Sequence, residues 1–115
     1  MLFRSEMLQA LERIRELRIA SDAVGVDGNR EYNAGWHTAL DLHNLLTVSE
    51  IVTCAALERK ESRGAHFRDD FPAKEDQFGK FNIVVRKGPN GEVRLTRESI
   101  PRMREDLQQI IEEMK

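Results

Sequence analysis

The sequence has little cysteine, little net charge and no long uninterrupted apolar run, and each of these absences excludes a class of protein. The lone Cys54 excludes an intramolecular disulfide framework and is typical of a reducing compartment. A formal net charge of -2 disfavours a nucleic-acid partner, which would select a basic surface. No apolar run approaches the roughly 18 residues of a membrane span. We therefore expect a cytoplasmic chain, or one that faces the cytosol, with no segment inserted in the bilayer.

Signatures of a reaction centre are also missing from the sequence. The glycine-containing stretch over residues 25–35, GVDGNREYNAG, lacks the spacing of a dinucleotide-binding loop and follows a predicted helix rather than a strand. His37 and Asp41 stand four residues apart, but no third ligand follows at a useful spacing. Cys54 has apolar neighbours and is expected to be an inert core thiol. We predict no catalytic residue, no cofactor-binding residue and no metal ligand in this chain.

The 115 residues, 33% charged and 40% hydrophobic, have the composition of one soluble domain. Apolar residues recur at three- and four-residue spacing over residues 5–23, which predicts a first helix with Ser5 as its N-cap. A loop is predicted over residues 25–35. A second helix over residues 36–59 is apolar around nearly its whole circumference, so neighbours should bury it on several sides. At roughly 36 Å it is too long for two partner helices, and we expect something outside this chain to share the packing.

The remaining segments complete a mainly α prediction. Alternating apolar residues on either side of Gly88–Gly91 predict a β-hairpin over residues 81–97, with Gly91 in the left-handed position of its turn. A third helix is predicted over residues 101–114. Its apolar stripe consists of Met103, Leu107, Ile110, Ile111 and Met114. We expect a spectrin-like, up-down three-helix bundle with one attached hairpin and a polar loop over residues 60–80.

The stretch ERKESRGAHFRDDFP, residues 58–72, carries residue types that are hard to replace. From Glu58 to Asp70 four basic residues balance four acidic ones, which favours a neutralised polar network over an anion-binding patch. Arg63 and Arg68 offer planar donor forks that suit carboxylates or carbonyl clusters. Gly64 permits a left-handed turn or a close backbone approach, and His66 can donate, accept or titrate. The simpler interpretation is a solvated loop.

The letters RKESRGAHFRDDFP, residues 59–72, resemble a motif near the C-terminus of the flavoprotein subunits of succinate dehydrogenases and fumarate reductases. The resemblance extends over residues 28–72 and, for one branch of the family, over the hairpin at residues 78–101. L-Aspartate oxidase carries a similar ESRG-x-H pattern. Ala65 and the continuation Arg68-Asp69-Asp70 favour the succinate and fumarate branch.

The resemblance implies that this chain is the C-terminal domain, a fragment, of a larger subunit that interconverts succinate and fumarate. In that family FAD is held by a separate domain, and electrons pass to iron-sulfur clusters of a partner subunit and to quinone. The partners implied are the FAD-binding domain and the iron-sulfur subunit, and the chain by itself is expected to be inactive and to form a homo-oligomer. The alternatives are a C-terminal domain of L-aspartate oxidase and a stand-alone helical interaction module.

The same resemblance implies that the polar stretch contacts another domain and is exposed in this chain alone. The predicted interface residues are Glu61, Ser62, Arg63, Gly64, His66, Arg68 and Asp70.

Overall fold

The computed structural model describes residues 3–114. The three predicted helices and the hairpin are confirmed, and a short 3-10 helix precedes the hairpin. The elements in chain order are α1 (Arg4–Ser21), α2 (Ala34–Glu58), the 3-10 helix (Asp76–Lys80), β1 (Phe81–Lys87), β2 (Val93–Ser99) and α3 (Glu105–Glu113).

The two long helices pack along each other and supply part of the small core. Met7 and Leu11 of α1 and Leu46 of α2 are buried there, as the three- and four-residue spacing requires. The predicted cap at Ser5 is wrong, because α1 already begins at Arg4 and Phe3 is its N-cap. The Phe3 amide donates to the Glu6 carboxylate at 3.1 Å, which satisfies one of the free amides at the helix start.

The predicted loop is shorter at its C-terminal end, because α2 begins two residues earlier than residue 36. Asn33 is the N-cap, and its Oδ1 accepts a hydrogen bond from the Gly35 amide at 3.0 Å. The same side chain donates to the Asp27 carbonyl at 2.8 Å. This short polar side chain therefore ends the loop and starts the helix in one place.

The hairpin has the predicted turn and a slightly longer second strand than the pattern indicated. Phe81 pairs with Ser99 and Lys87 with Val93 in an antiparallel register. The Gly91 amide donates to the Gly88 carbonyl at 3.0 Å, and Gly91 has φ +84°, as the turn prediction requires.

The predicted spectrin-like bundle is not confirmed, because the hairpin and the 3-10 helix, rather than α3, lie beside the helix pair. Substantial packing joins α1 with α2, the hairpin with α2, and β1 with the 3-10 helix, and α3 takes part in none of it. The radius of gyration is 19.7 Å, against about 13 Å for a compact chain of roughly 100 residues. The molecule measures 64 × 34 × 30 Å and is therefore elongated.

The apolar surface of α2 is mostly uncovered. Among its large apolar residues Leu46 is buried, whereas four others are between 58% and 62% exposed. Leu45, Val48 and Val52 lie within about 60° of one another around the helix and form the outer face of α2, whereas Leu40 lies to one side of it, next to the end of α1. By length and composition α2 could cross a membrane, with a mean hydropathy of 1.2 over an 18-residue window of which 6% is buried. Core helices of soluble proteins pass the same test, so this is a weak indication.

Candidate functional site

The stretch after α2 folds back on the end of that helix through a two-residue turn. The amide of Arg63 donates to the His66 carbonyl at 2.8 Å, and the His66 amide donates to the Arg63 carbonyl at 3.0 Å. Gly64, the first central residue of this turn, has φ +58° and open space around an added Cβ, so of the two roles that the sequence allowed it takes the left-handed turn. A residue with a Cβ would be strained there.

Arg68 lies behind this turn and supplies hydrogen-bond donors to the last carbonyls of α2. Its side chain is among the least accessible of the described residues, at 1% exposure. Nη1 donates to the carbonyls of Ala56 at 3.2 Å and Leu57 at 3.0 Å. The same nitrogen lies 3.2 Å from the carbonyl oxygen of Arg59. A cation at this position also matches the negative end of the helix dipole.

Asp70 is the ion-pair partner of Arg68 and lies near the beginning of α1. Its Oδ1 accepts from Arg68 Nε at 2.9 Å, and this hydrogen bond is the main reason why the pKa of Asp70 is lowered. The backbone amide of Arg4, at the start of α1, lowers the pKa of Asp70 further. The ion pair therefore sets a cation at the C-terminus of α2 and an anion at the N-terminus of α1, as both helix dipoles favour.

A second cluster surrounds Glu61, whose side chain is fully buried at 0% exposure. Its carboxylate accepts from Arg63 Nε at 2.9 Å and from the Glu75 amide at 3.0 Å, and Arg59 Nη1 also contacts it. These donors, above all Arg63, lower the pKa of Glu61 to about 2 even though burial opposes the charge. The carboxylate therefore stays ionised and fully hydrogen-bonded inside the domain.

Ser62 and His66 complete the network with bonds to the backbone. The Ser62 hydroxyl accepts from the Arg68 amide at 2.9 Å and lies 2.9 Å from the Phe71 carbonyl, to which it donates. His66 Nε2 lies 3.2 Å from the Arg59 carbonyl oxygen. We call the whole set the polar network: Arg59, Glu61, Ser62, Arg63, His66, Arg68 and Asp70.

Sequence reasoning missed several residues that hold this network in place. Arg63 Nη2 donates to the Glu75 carbonyl at 3.0 Å, and a Cβ added at Gly79 would come within 3.0 Å of the same nitrogen. Glu58 accepts from Arg97 of β2 at 2.8 Å. The Arg97 guanidinium also lies over the Phe81 ring, 4.9 Å from its centroid. In the sequence these residues could be recognised only by their type. Their contacts could not be predicted, because the contacts join segments far apart in the chain.

The predicted neutralised network is confirmed, but the predicted exposure of Arg68 in this chain alone is wrong. Arg68 and Glu61 are buried by the domain's own helix ends and loop. The Arg63 side chain is 33% exposed, and Gly64 is exposed. Contact of any of the seven predicted residues with another domain stays a prediction.

An open apolar depression adjoins the network on the outer side of α2. Its lining includes Val52, Ala55, His66 and Ile83, and its volume is about 510 Å³. Over residues 3–114 no cluster of three or more His, Cys, Asp or Glu side chains could hold a metal ion. Cys54 is half-buried, and burial raises the pKa of its thiol.

The fold and the network define a class of protein: a mainly helical domain with one hairpin, in which the buried Glu61 and Arg68 are ion-paired and the apolar surface of α2 is left open. The family model described as fumarate reductase flavoprotein C-term matches residues 2–114. The chain belongs to this family of C-terminal domains of succinate dehydrogenase and fumarate reductase flavoprotein subunits.

Individual relatives agree with this assignment. The chain is 38% identical over 90 residues to the succinate dehydrogenase flavoprotein subunit of Coxiella burnetii, which covers 75% of this chain and 15% of the relative. It is 32% identical over 90 residues to the fumarate reductase flavoprotein subunit of Mycobacterium tuberculosis, covering 77% of this chain and 15% of the relative. The alternative, L-aspartate oxidase of Acinetobacter baylyi, matches over a shorter stretch of 55 residues at 44% identity, 48% of this chain and 10% of the relative.

A solved structure extends the likeness to the fold. Mycobacterium smegmatis Sdh1 in complex with UQ1 superposes with a TM-score of 0.87 at 38% identity, over 96% of this chain and 19% of that one. The chain therefore spans less than a fifth of the length of these relatives.

Proposed function

We propose that this chain serves as the C-terminal structural and interface domain of an FAD-dependent oxidoreductase that interconverts succinate and fumarate. In this proposal the rest of the flavoprotein subunit covers the outer face of α2. The proposal rests on which side chains this domain exposes and buries. Four large apolar side chains of α2 are about 60% exposed, while Glu61 and Arg68 are buried. An apolar helix of this kind needs a covering partner.

The arginines of the polar network are not free to hold FAD phosphates, and we propose that the flavin is bound by the rest of the subunit. Phosphate groups are held by free helix amides or unpaired arginines. Here Arg63 is bound to Glu61 and Arg68 to Asp70, and the Gly35 amide in the first turn of α2 already donates to Asn33. FAD would supply the electron exchange with succinate and fumarate, and this chain would hold the flavin domain in position.

The proposed partners follow from the same assignment. Besides the FAD-binding domain, they include an iron-sulfur subunit that carries electrons on to quinone, at the cytoplasmic face of the inner membrane. Support comes from the similarity to flavoprotein subunits and to Sdh1, which was solved in complex with UQ1. We further propose that no nucleic acid takes part and that this domain does not enter the bilayer.

The test places a charge on the outer face of α2 in the full-length subunit. Val48→Asp should lower the bound flavin per protein and the rate of succinate oxidation, because docking would bury a carboxylate without a partner. Thr47→Asp is the matched control, since Thr47 is the exposed neighbour whose hydroxyl bonds the backbone of its own helix at 2.8 Å. Equal flavin content in both variants would contradict the proposal.

A further inference from the structure

The tip of the hairpin carries the one asparagine of this sequence that is followed by glycine. The turn consists of Gly88, Pro89, Asn90 and Gly91, and both Asn90 and Gly91 are exposed. The other asparagines each precede a residue with a side chain, and they are Asn29, Asn33, Asn44 and Asn82.

The side-chain carbonyl of Asn90 is open to attack by the backbone nitrogen of the next residue. Asparagine is among the thermolabile residues, and glycine has no Cβ to hinder the approach of its own nitrogen. The surroundings add little hindrance. Chain neighbours aside, the nearest atom to a Cβ built at Gly91 is Lys87 Cε, at 3.8 Å. Steric shielding therefore does not protect this asparagine.

The closed turn opposes the attack, because it uses the same backbone nitrogen. The Gly91 amide donates to the Gly88 carbonyl at 3.0 Å, so its N–H faces Gly88 and not the Asn90 side chain. The Asn90 amide in turn donates to Glu92 Oε2 at 3.0 Å. The reaction therefore requires these exposed bonds to open, and segments held mainly by exposed backbone hydrogen bonds open at low local free energy.

We propose that Asn90 is a covalent modification site, whose side-chain amide is converted spontaneously to aspartate and isoaspartate when the turn opens. The Gly91 nitrogen forms a bond to Asn90 Cγ, the bond from Cγ to the amide nitrogen breaks, and ammonia leaves with the proton that Gly91 gives up. Water then adds to one carbonyl of the succinimide ring and breaks its bond to the Gly91 nitrogen, which recovers a proton. Neither step oxidises or reduces any group. The proposal goes beyond the proposed function and does not depend on the reaction that the longer protein catalyses.

Both products should loosen the hairpin tip. Each places a new carboxylate in the same turn as Glu92, whose own carboxylate accepts from the Asn90 amide. Isoaspartate also lengthens the backbone through the turn, so the hydrogen bond that closes the turn loses its register. The tip shares a depression of about 310 Å³ with α1 and α2, which Glu92 and Arg18 help to line. The modification should therefore weaken the contact between the hairpin tip and the helix pair.

Peptide mapping by mass spectrometry of the full-length protein, incubated at neutral pH, tests the site. Asn90 should show the mass gain of conversion first, and an isoaspartate-specific methyltransferase should then methylate the peptide that contains it. Asn29 is the internal control, because it is also exposed but precedes Arg30, whose side chain hinders the attacking nitrogen. Conversion of Asn29 at an equal rate would overturn the proposal, as would an Asn90 that stays unchanged while a synthetic peptide of residues 86–94 converts.

Comparison with that synthetic peptide, which lacks the closed turn, tests the dependence on opening. Conversion in the folded protein should be slower by about tenfold or more, the factor that corresponds to about 1.4 kcal/mol of local closure. Asn90→Gln is the matched control, because it keeps an uncharged amide but would have to form a larger ring, so methylation of this segment should disappear. Equal rates in protein and peptide would contradict the dependence on opening, and methylation that persists in Asn90→Gln would contradict the site.

Discussion

The loop that follows α2 buries charged side chains, whereas the outward surfaces of α2 and α3 expose apolar side chains. The loop buries ionised groups, Glu61 and Arg68, to 1% exposure or less, whereas Val48 and Val52 of α2 remain about 60% exposed. Glu61 and Arg68 have ion-pair partners and hydrogen bonds within the chain, although Asp69 Oδ2 in the same loop is buried without a hydrogen-bond partner. The apolar regions are incomplete, so the contacts with other parts of a larger protein should be made there.

Because its buried ions are paired within the chain, the stretch over residues 58–72 supports the fold of this domain itself. A buried ion pair is costly to assemble but is tolerated when its hydrogen bonds are satisfied, and removing one partner leaves an uncompensated charge. Arg68 donates to the last carbonyls of α2 and pairs with Asp70, so this pair holds the returning loop against the end of α2.

The largest effect should come from Arg68→Ala in this chain alone. The substitution leaves the α2 carbonyls without their donor and Asp70 without its partner, and we expect a loss of about 3–5 kcal/mol in the free energy of unfolding. Arg63→Ala should cost distinctly less, since that side chain is 33% exposed. Urea denaturation followed by circular dichroism measures both, and equal losses would show that the two arginines are equivalent.

Acid should next weaken the network through Glu61. Its pKa is lowered from 4.5 to about 2 in the folded chain, so the folded state binds the proton less readily than the unfolded one. The stabilisation is therefore present above about pH 4.5 and is lost as the pH falls toward about 2. Melting temperature against pH should fall more steeply for the unmodified chain than for Glu61→Gln, and parallel curves would contradict this.

A smaller loss is expected from Gly64→Ala. Gly64 has φ +58° and nothing within 4 Å of an added Cβ, so the cost is backbone strain of about 1–2 kcal/mol. Gly25→Ala is the matched control, because Gly25 also has open space around it and no positive φ. The difference between the unfolding free energies of the two variants should give the cost of the positive φ at Gly64. An equal loss in Gly25→Ala would show that the cost does not come from the positive φ at Gly64.

The smallest effect on stability should come from Val52→Asp, on the open apolar face. A substitution at an exposed site typically changes the unfolding free energy by at most about 0.5 kcal/mol. The same change should reduce self-association of the chain alone, which we expect through this face, as light scattering after gel filtration can measure. Unchanged association would place the contact between copies elsewhere.

Local sequence patterns predicted the secondary structure well, because each of those signals acts within a few residues. Periodicity located all four ends of α1 and α2 to within two residues. The Gly88–Gly91 turn followed from the rule that only glycine readily takes positive φ. For α3 the pattern predicted residues 101–114, but the helix starts at Glu105. Pro101 fitted a helix start by type, and the backbone up to Arg104 is instead not helical.

The sequence by itself determined the helices, the hairpin, the turn at Gly64 and the charge balance of the polar stretch, since these depend on residue type and short-range spacing. Only the tertiary structure decided that Glu61 and Arg68 are buried within the domain, that α3 stands apart, and that the outer face of α2 is open. Those outcomes depend on which distant segments meet. The donors of Arg68 find the α2 carbonyls only after the chain has folded back, a contact that no local periodicity encodes.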